Sequence, residues 1–260
     1  MTNGGSMKGF DYKHRITIAG HRGDPKNAPE NTLISFKSAI EKGADMVELD
    51  VHMTADREIV VMHDPTVDRT TDGEGRICEK NLAEIRSLSA GIYDGEVQRV
   101  PTFREFCELV APYDVLINVE FKDYYDTHGE EFSTESMLRT VELIEEYGLA
   151  ERVVMNSFDA YILKKLSELY GGKYRTHGFY PYSLMRNVMS DPTEYLYCAC
   201  MFGFDEEDAR FLHEHGIELW LGAGVVTKEQ FERGVALGAR LFTTNDTAEA
   251  LRICVGLGVR

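Results

Sequence analysis

The chain has 260 residues, of which 43% are hydrophobic and 28% charged, a composition that excludes a disordered or fibrous protein. Its formal net charge of -16 would repel a nucleic-acid backbone, so we expect a small-molecule substrate and no nucleic-acid partner. The five cysteines are odd in number and contain no CxxC pair, which favours a reducing compartment, and we expect a cytoplasmic protein.

The N-terminal region contains no apolar segment of signal-peptide length, and no later segment approaches about 18 uninterrupted apolar residues. We therefore expect neither export nor stable membrane insertion. Residues 1–13 are predicted to form a disordered or weakly ordered tail, and residues 14–260 a single domain. The sequence indicates no particular oligomeric state.

Short β-branched runs alternate with helical patterns along the whole chain. The eight predicted strands are RITIA, MVELDV, VLINVEF, RVVMN, KYRTHG, YLYCACM, IELWL and ARLFTT. Helices are predicted over residues 32–42, 102–110, 134–147, 160–170, 206–215, 228–237 and 248–253. Strands that alternate with helices pair in parallel, and eight such units predict an α/β fold of the TIM (β/α)8 barrel class. The fifth unit is the weakest, because YPYSLMRNVMSDP must supply a short helix and has a poor pattern.

Residues 54–101 do not follow this alternation of strands and helices, and we predict that they form a small insertion after the second strand. They contain the apolar run EIVVMHD, a turn signal at DGEG and a short helix in NLAEIRSLSAG. Long insertions in barrels lie on loops and often carry function. The segment NLAEIRSLSAGIYDGEVQRV shows no apolar patch of the kind that a lipid substrate would favour.

Two of the predicted strands have acidic side chains on one face. In MVELDVHM, Glu48 and Asp50 point the same way, about 6 to 7 Å apart, and Glu120 has a similar place on the third strand. Active sites of TIM barrels lie at the C-terminal ends of the strands, so these carboxylates could hold one Mg²⁺ or Ca²⁺. For either strand alone a solvated rim is an equal alternative, but together the acids would repel one another without a compensating cation.

His21 and His63 each follow an apolar strand on the loop side of the predicted barrel. Two imidazoles suit general acid–base catalysis, because one can accept a proton while the other donates one. Arg22 adds a planar fork for phosphate oxygens, and Lys122 adds a point charge beside the acidic residues. A capped or surface side chain is the alternative for either histidine alone.

The loop that follows His21 also contains a helix-start signal. Asn31 or Thr32 can cap the next helix, and Pro29 stiffens the chain that enters it. We expect this segment to hold His21 and Arg22 in a fixed orientation.

Taken in order, these motifs resemble those of the glycerophosphodiester phosphodiesterase family over about the first half of the chain. They are HRGDPKNAPENT, GADMVELDVHMTADREIVVMHD, RTTDGEG, VPTFREF and NVEFK. The resemblance implies a TIM barrel that binds one divalent cation and cleaves glycerol-phosphate diesters to sn-glycerol 3-phosphate and an alcohol. By motif position it implies that the metal ligands are Glu48, Asp50 and Glu120 and that the catalytic pair is His21 and His63. It also implies that the substrate-binding residues are Arg22, Lys122 and Trp220.

The second half departs from the family pattern at two strand ends. The seventh strand of the family continues from its tryptophan as Trp-Thr-x-Asn, whereas this chain has WLGA from Trp220. The eighth ends in Thr-Asp-x-Pro, whereas this chain has TNDT from Thr244. We expect these departures to spare the metal site and the histidines and to alter the pocket for glycerol or the leaving alcohol.

Two alternatives to this activity stay open at the level of the sequence. One is a related phosphodiesterase or lyase that acts on another phosphodiester, such as a lysophospholipid or a sugar-phosphate diester. The other is a non-catalytic binding barrel that keeps the fold.

Overall fold

Eight parallel strands close into a barrel in the computed structural model, which describes residues 9–260. β1 pairs with both β2 and β11, so the sheet closes on itself, and the predicted TIM barrel and its eight strands are confirmed. Three further strands, β3 to β5, lie outside the barrel. The strands of the described residues are β1 (Thr17–His21), β2 (Met46–Met53), β3 (Ile59–Val61), β4 (Ile92–Tyr93), β5 (Glu96–Val97), β6 (Leu116–Phe121), β7 (Val153–Asn156), β8 (Arg175–Tyr180), β9 (Cys198–Met201), β10 (Glu218–Leu221) and β11 (Leu241–Thr244).

The helices cover the outside of the barrel, and most start at a side-chain cap. All except α4 begin after a Thr, Asn or Asp whose side chain accepts a backbone N–H of the first turn. Among the described residues, no helix is both long and apolar enough to cross a membrane. The α-helices are α1 (Leu33–Glu41), α2 (Leu82–Ser87), α3 (Phe103–Val110), α4 (Tyr125–Glu146), α5 (Ala160–Leu169), α6 (Glu206–Glu214), α7 (Lys228–Ala236) and α8 (Thr247–Gly256).

Two helical regions differ from the prediction. α4 begins at Tyr125, well before the predicted start at residue 134, because the chain continues through a kink at Gly129 (φ 80°, ψ 168°). The short helix expected between β8 and β9 is not formed, and residues 181–197 contain two 3₁₀ turns, Tyr182–Leu184 and Pro192–Glu194. Asn187 has a φ of 53° in this segment, which a regular helix cannot include.

The insertion after β2 is a small packed unit on the barrel mouth. β3 pairs antiparallel with β2, and α2 and the β4–β5 hairpin follow. A separate apolar cluster that includes Val67, Ile77 and Ile85 holds it together. The hairpin exposes two apolar side chains, Ile92 and Val97, which are register partners on its two strands and are 68% and 49% exposed.

Inside the barrel, an apolar layer fills the end at which the strands begin. Phe10, Trp220 and Leu241 belong to this cluster, and the guanidinium of Arg175 lies 4.0 Å from the Phe10 ring centre. Of the tail expected over residues 1–13, the first eight lie outside the described residues, and Phe10 is only 8% exposed. Among the described residues, this layer closes the interior of the barrel at the end at which its strands begin.

Candidate active site

A cavity of about 300 Å³ opens among the C-terminal ends of the barrel strands. One wall is apolar and includes Phe158, Phe179 and Phe202. Asp50 lies directly behind the opposite, polar wall, with its Oδ2 3.5 Å from Nε of Arg22. The polar wall is formed by residues that the sequence predicted: His21, Arg22, Glu48, His63, Glu120 and Lys122.

The three acidic residues meet because β2 and β6 are neighbours in the barrel. Asp50 is the register partner of Glu120, and Glu48 lies one pleat below Asp50 on the same face. The three side chains are buried, and one carboxylate oxygen from each lies within 4.8 Å of the other two. Carboxylate oxygens in this number suit a hard divalent cation such as Mg²⁺ or Ca²⁺.

The protein compensates this cluster only in part. Burial and the neighbouring carboxylates raise the pKa of Glu48 well above its usual value, and burial raises the pKa of Glu120. Burial would also raise the pKa of Asp50, but the Lys122 ammonium, 3.1 Å from Oδ1, lowers it. The same ammonium lies 2.5 Å from Glu120 Oε1. Lys122 and Arg22 together bring two positive charges to three carboxylates, so the cluster keeps a net negative charge when all three are ionised, which favours a cation.

The turn after β1 directs both the backbone N–H and the side chain of Arg22 toward the acidic cluster. Gly23 has a φ of 88°, and a Cβ there would lie 2.5 Å from the Ser35 backbone, so only glycine fits. The tight turn lets the N–H of Arg22 donate to Glu48 Oε2 at 2.8 Å. This hydrogen bond orients Glu48.

Each cavity histidine has its Nδ1 proton held by an acceptor. Nδ1 of His21 donates to Asn245 Oδ1 at 2.7 Å, and Nδ1 of His63 donates to Asp64 Oδ1 at 2.6 Å. Burial lowers the pKa of both imidazoles, with a further contribution from Arg22 at His21. Because Asn245 belongs to the atypical end of the eighth strand, the expectation that this departure spares the histidines is wrong.

A network that sequence reasoning missed joins the two histidine loops. Arg69 of the insertion donates to both oxygens of Glu30, at 2.8 and 3.0 Å, and to Asp64 at 2.6 Å. Glu30 also accepts from Arg22 at 2.9 Å. Arg69 lowers the pKa of Asp64 to about 2, so Asp64 is ionised and its charge faces His63. RTTDGEG was a visible motif, but its spacing gives no sign of this contact.

The two residues of the predicted helix-start signal, Asn31 and Thr32, have different roles in the structure. Thr32 is the cap of α1, accepting the N–H of Ser35 at 3.3 Å. Asn31 has a φ of 56° and donates from Nδ2 to Asp50 Oδ2 at 2.8 Å. The left-handed conformation of Asn31 turns its amide away from the helix and toward the acidic cluster.

The structure does not bring Trp220 to the cavity lining. Its side chain is 1% exposed within the apolar layer below, and its Nε1 donates to Glu218 Oε2 at 3.2 Å. Its ring lies 4.7 Å from the ring of His177, which forms part of the cavity floor. The atypical residues that follow it, Gly222 to Gly224, do line the cavity.

Sequence comparisons give a consistent result. A family model described as the Glycerophosphoryl diester phosphodiesterase family matches residues 21–212. A glycerophosphodiester phosphodiesterase of Caldanaerobacter subterraneus subsp. tengcongensis is 43% identical over 158 residues, 60% of this chain and 63% of the relative. A glycerophosphodiester phosphodiesterase of Bacillus subtilis is 31% identical over 167 residues, 60% of this chain and 56% of the relative. The chain thus spans less than two thirds of the length of these relatives.

Solved structures with the same fold include two phosphodiesterases. One, from Oleispira antarctica, is in complex with the product sn-glycerol-3-phosphate and has a TM-score of 0.76 and 21% identity over 92% of this chain and 96% of that chain. The other, a glycerophosphodiester phosphodiesterase from Thermotoga maritima, has a TM-score of 0.72 and 22% identity over 93% of this chain and 100% of that chain. At these identities the likeness concerns the fold.

Proposed function

Because the chain belongs to the glycerophosphoryl diester phosphodiesterase family, we propose that it hydrolyses glycerophosphodiesters to sn-glycerol 3-phosphate and an alcohol. The observation that carries this proposal is the convergence of two imidazoles, an arginine, a lysine and three buried carboxylates on one cavity. The names of the sequence relatives and the product bound to the Oleispira antarctica phosphodiesterase support the same activity.

The metal site of this proposal consists of Glu48, Asp50 and Glu120, which would hold one Mg²⁺ or Ca²⁺. When bound, the cation supplies positive charge that neutralises phosphoryl oxygens. Amide groups of the chain orient two of the ligands: Asn31 donates to Asp50 at 2.8 Å and Asn156 donates to Glu120 at 3.3 Å. Such supporting hydrogen bonds fix the direction of carboxylate oxygens.

His21 and His63 serve as the general acid and base. With Nδ1 of each ring held by Asn245 or Asp64, Nε2 is the nitrogen that reaches the substrate. One imidazole takes a proton from the nucleophile, which is the glycerol 2-hydroxyl or a water molecule, and the other protonates the departing alcohol oxygen. Arg22 and Lys122 contact the phosphate oxygens, on which negative charge builds in the transition state.

The test is a coupled assay for released sn-glycerol 3-phosphate. The substrates are glycerophosphocholine, -ethanolamine, -inositol and -glycerol, each with and without a chelator. His21→Ala and His63→Ala should each lower the rate by about 10² to 10⁴.

The matched control is His215→Ala, because His215 is exposed at the end of α6, away from the cavity, and this variant should keep full activity. No release from any substrate with saturating Mg²⁺ or Ca²⁺, or near-normal turnover by both alanine variants, would contradict the proposal. Binding without turnover would favour the non-catalytic barrel.

A lysophospholipid is the second candidate substrate, and exposed apolar side chains on loops that follow barrel strands favour it. Met189, Phe202 and Val226 are 63%, 62% and 60% exposed on the loops that follow β8, β9 and β10. Apolar side chains of this size could contact an acyl chain. Adding lysophosphatidylcholine to the substrate panel and measuring released choline tests this alternative, and Met189→Ser should then slow only that substrate.

A cytoplasmic location and a single domain over residues 14–260 complete the proposal. All five cysteines are unpaired in the structure, which supports a reducing compartment. The closed barrel that begins at Thr17 and ends with α8 supports one folding unit.

A further inference from the structure

The floor of the cavity contains two buried polar atoms that no described residue satisfies. They are Nε2 of His177 and Oδ1 of Asn156. The two side chains are 3% and 2% exposed, and both line the cavity. An unpaired buried donor or acceptor is unfavourable, so atoms of this kind at a cavity wall indicate a ligand that completes them.

The neighbours of these atoms determine which is the donor. Asn118 places its Nδ2 3.2 Å and its Oδ1 3.4 Å from Nδ1 of His177. We take the shorter contact, in which Nδ2 donates, as the hydrogen bond, and it puts the ring proton on Nε2 of an imidazole that lines the cavity. Burial lowers the pKa of His177 to about 3, which keeps the ring neutral. The Nδ2 of Asn156 donates to Glu120 Oε2 at 3.3 Å, so its Oδ1 is left as an acceptor.

The residues that carry the donor and the acceptor are neighbours in the sheet. Asn156 and His177 are register partners on the adjacent parallel strands β7 and β8, about 4.8 Å apart in the pairing direction. A hydroxyl both accepts and donates a hydrogen bond, whereas an ammonium group only donates and a carboxylate only accepts. A hydroxyl, or two hydroxyls on neighbouring carbons, therefore satisfies the pair.

An apolar surface adjoins this polar pair. The rings of Phe158 and Phe179 stack with their centres 3.5 Å apart and their planes 8° apart, and both line the cavity. The Phe179 ring lies 5.4 Å from the His177 ring. Hydroxyl-binding atoms beside an aromatic face match a molecule with hydroxyls along a short carbon chain.

We propose that Asn156 and His177 form a polyol subsite at the cavity floor, in which Nε2 of His177 donates to a hydroxyl and Oδ1 of Asn156 accepts from one. The inference rests on the proposed function for the nature of the substrate. The polyol has two possible sources, the glycerol common to all glycerophosphodiesters or a polyol alcohol on the other side of the phosphate.

The test measures binding instead of turnover. Calorimetry with Mg²⁺ present compares sn-glycerol 3-phosphate with propyl phosphate, which has the same phosphate and chain length but no hydroxyls. The full chain should bind the hydroxylated ligand about tenfold more tightly. His177→Phe should bring the ratio of the two dissociation constants close to one without changing the affinity for propyl phosphate, and His177→Gln, which keeps a donor, should restore part of the ratio.

His215→Phe is the matched control, since the same substitution at an exposed histidine should leave the ratio unchanged. Equal affinities in the unmodified chain would overturn the inference and mean that the floor holds water only. An unchanged ratio in a folded His177→Phe variant would also overturn it. If His177→Phe does not fold, the ratio of the two dissociation constants in the unmodified chain and in His177→Gln tests the inference. Because propyl phosphate binding and the hydrolysis panel are separate measurements, failure of this inference is distinguishable from failure of the proposed function.

Turnover by the same variant then identifies the source of the polyol. A fall in kcat/KM for both glycerophosphoethanolamine and glycerophosphoglycerol would place the common glycerol at the floor. A fall for glycerophosphoglycerol alone would place the leaving polyol there. An unchanged kcat/KM for both substrates would count against the subsite.

Discussion

One hydrogen bond at Nδ1 fixes the orientation of each of the two cavity imidazoles. Asn245 and Asp64 accept the Nδ1 protons of His21 and His63, so each ring is held in one orientation and its Nε2 carries no hydrogen bond to a described residue. Burial lowers the pKa of each imidazole, and each Nδ1 acceptor raises it again in part. The balance sets the pH at which either ring can act as a base.

The acid limb of the pH profile of kcat/KM should therefore have its midpoint below 6.5, the ordinary imidazole pKa. An imidazole accepts a proton only when it is deprotonated, and a lowered pKa extends that state to lower pH. Asp64→Asn removes a contact that raises the pKa of His63, and Asn245→Ala removes the corresponding contact at His21. The variant that moves the midpoint still lower identifies the base.

Initial rates from about pH 4.5 to about pH 8 measure this profile. Asp68→Asn is the control, because Asp68 is an exposed aspartate of the insertion and does not contact either histidine. If neither Asp64→Asn nor Asn245→Ala moves the midpoint, the acid limb does not come from these imidazoles.

At the scale of elements, Gly129 shows how one residue shapes a helix. It joins two helical segments within α4 through a conformation with φ 80° and ψ 168°. This region is open essentially to glycine alone, whereas an ordinary left-handed residue is strained less. The sequence prediction started this helix too late because the glycine interrupts its pattern.

Gly129→Ala should lower the free energy of unfolding by about 1 to 3 kcal/mol. Gly171→Ala is the matched control: its φ is 58°, near the ordinary left-handed region, and the expected loss is about 1 kcal/mol. A Cβ at either glycine meets no atom within 4 Å, so both variants report backbone strain and not a clash. Urea unfolding measures both, and equal losses would contradict this explanation.

Strands and capped helices could be predicted because their signals are local. The alternation in MVELDVHM placed Glu48 and Asp50 inside the barrel. The helices predicted over residues 102–110 and 228–237 form next to the side-chain caps Thr102 and Thr227. The segment between β8 and β9 could not be predicted in the same way. Its missing helix depends on Pro181, Pro192 and a left-handed Asn187, and the alternation of strands with helices suggested a helix that these residues do not form.

On the scale of the whole molecule, a cation bound at the acidic cluster would stabilise the fold. Three buried carboxylates repel one another in the absence of a cation, and Lys122 and Arg22 offset only part of that repulsion. A cation that binds the folded chain and not the unfolded chain stabilises it by mass action.

Mg²⁺ or Ca²⁺ at about 100 times its Kd should therefore stabilise the chain by about 2.7 kcal/mol and raise Tm by about 5 to 10 °C. A chelator should reverse the rise, and Glu120→Gln should reduce it. Differential scanning calorimetry measures the change, with KCl at equal ionic strength as the control for screening and Glu145→Gln as the control for removal of an exposed charge. An equal rise with KCl, or in Glu120→Gln, would contradict a specific site.

Most of the residues that the sequence predicts for the site lie together in the structure, whereas the contacts that support them could not be predicted. The strand pattern could place Glu48, Asp50 and Glu120, since parallel strands end at one rim. Asn245 and His21 are 224 positions apart, and Arg69 and Glu30 are 39 apart, so loop paths that no local signal specifies bring them together. The placement of Trp220 below the cavity likewise depends on the depth at which β10 crosses the barrel.

The apolar layer around Phe10 and Trp220 closes the inner end of the cavity. For the proposed hydrolysis, substrate would enter, and both products would leave, through the same mouth. The product that lies deeper would depart after the one nearer the opening, and until it departs it would block the next substrate molecule. We expect that deeper product to be the stronger inhibitor of turnover.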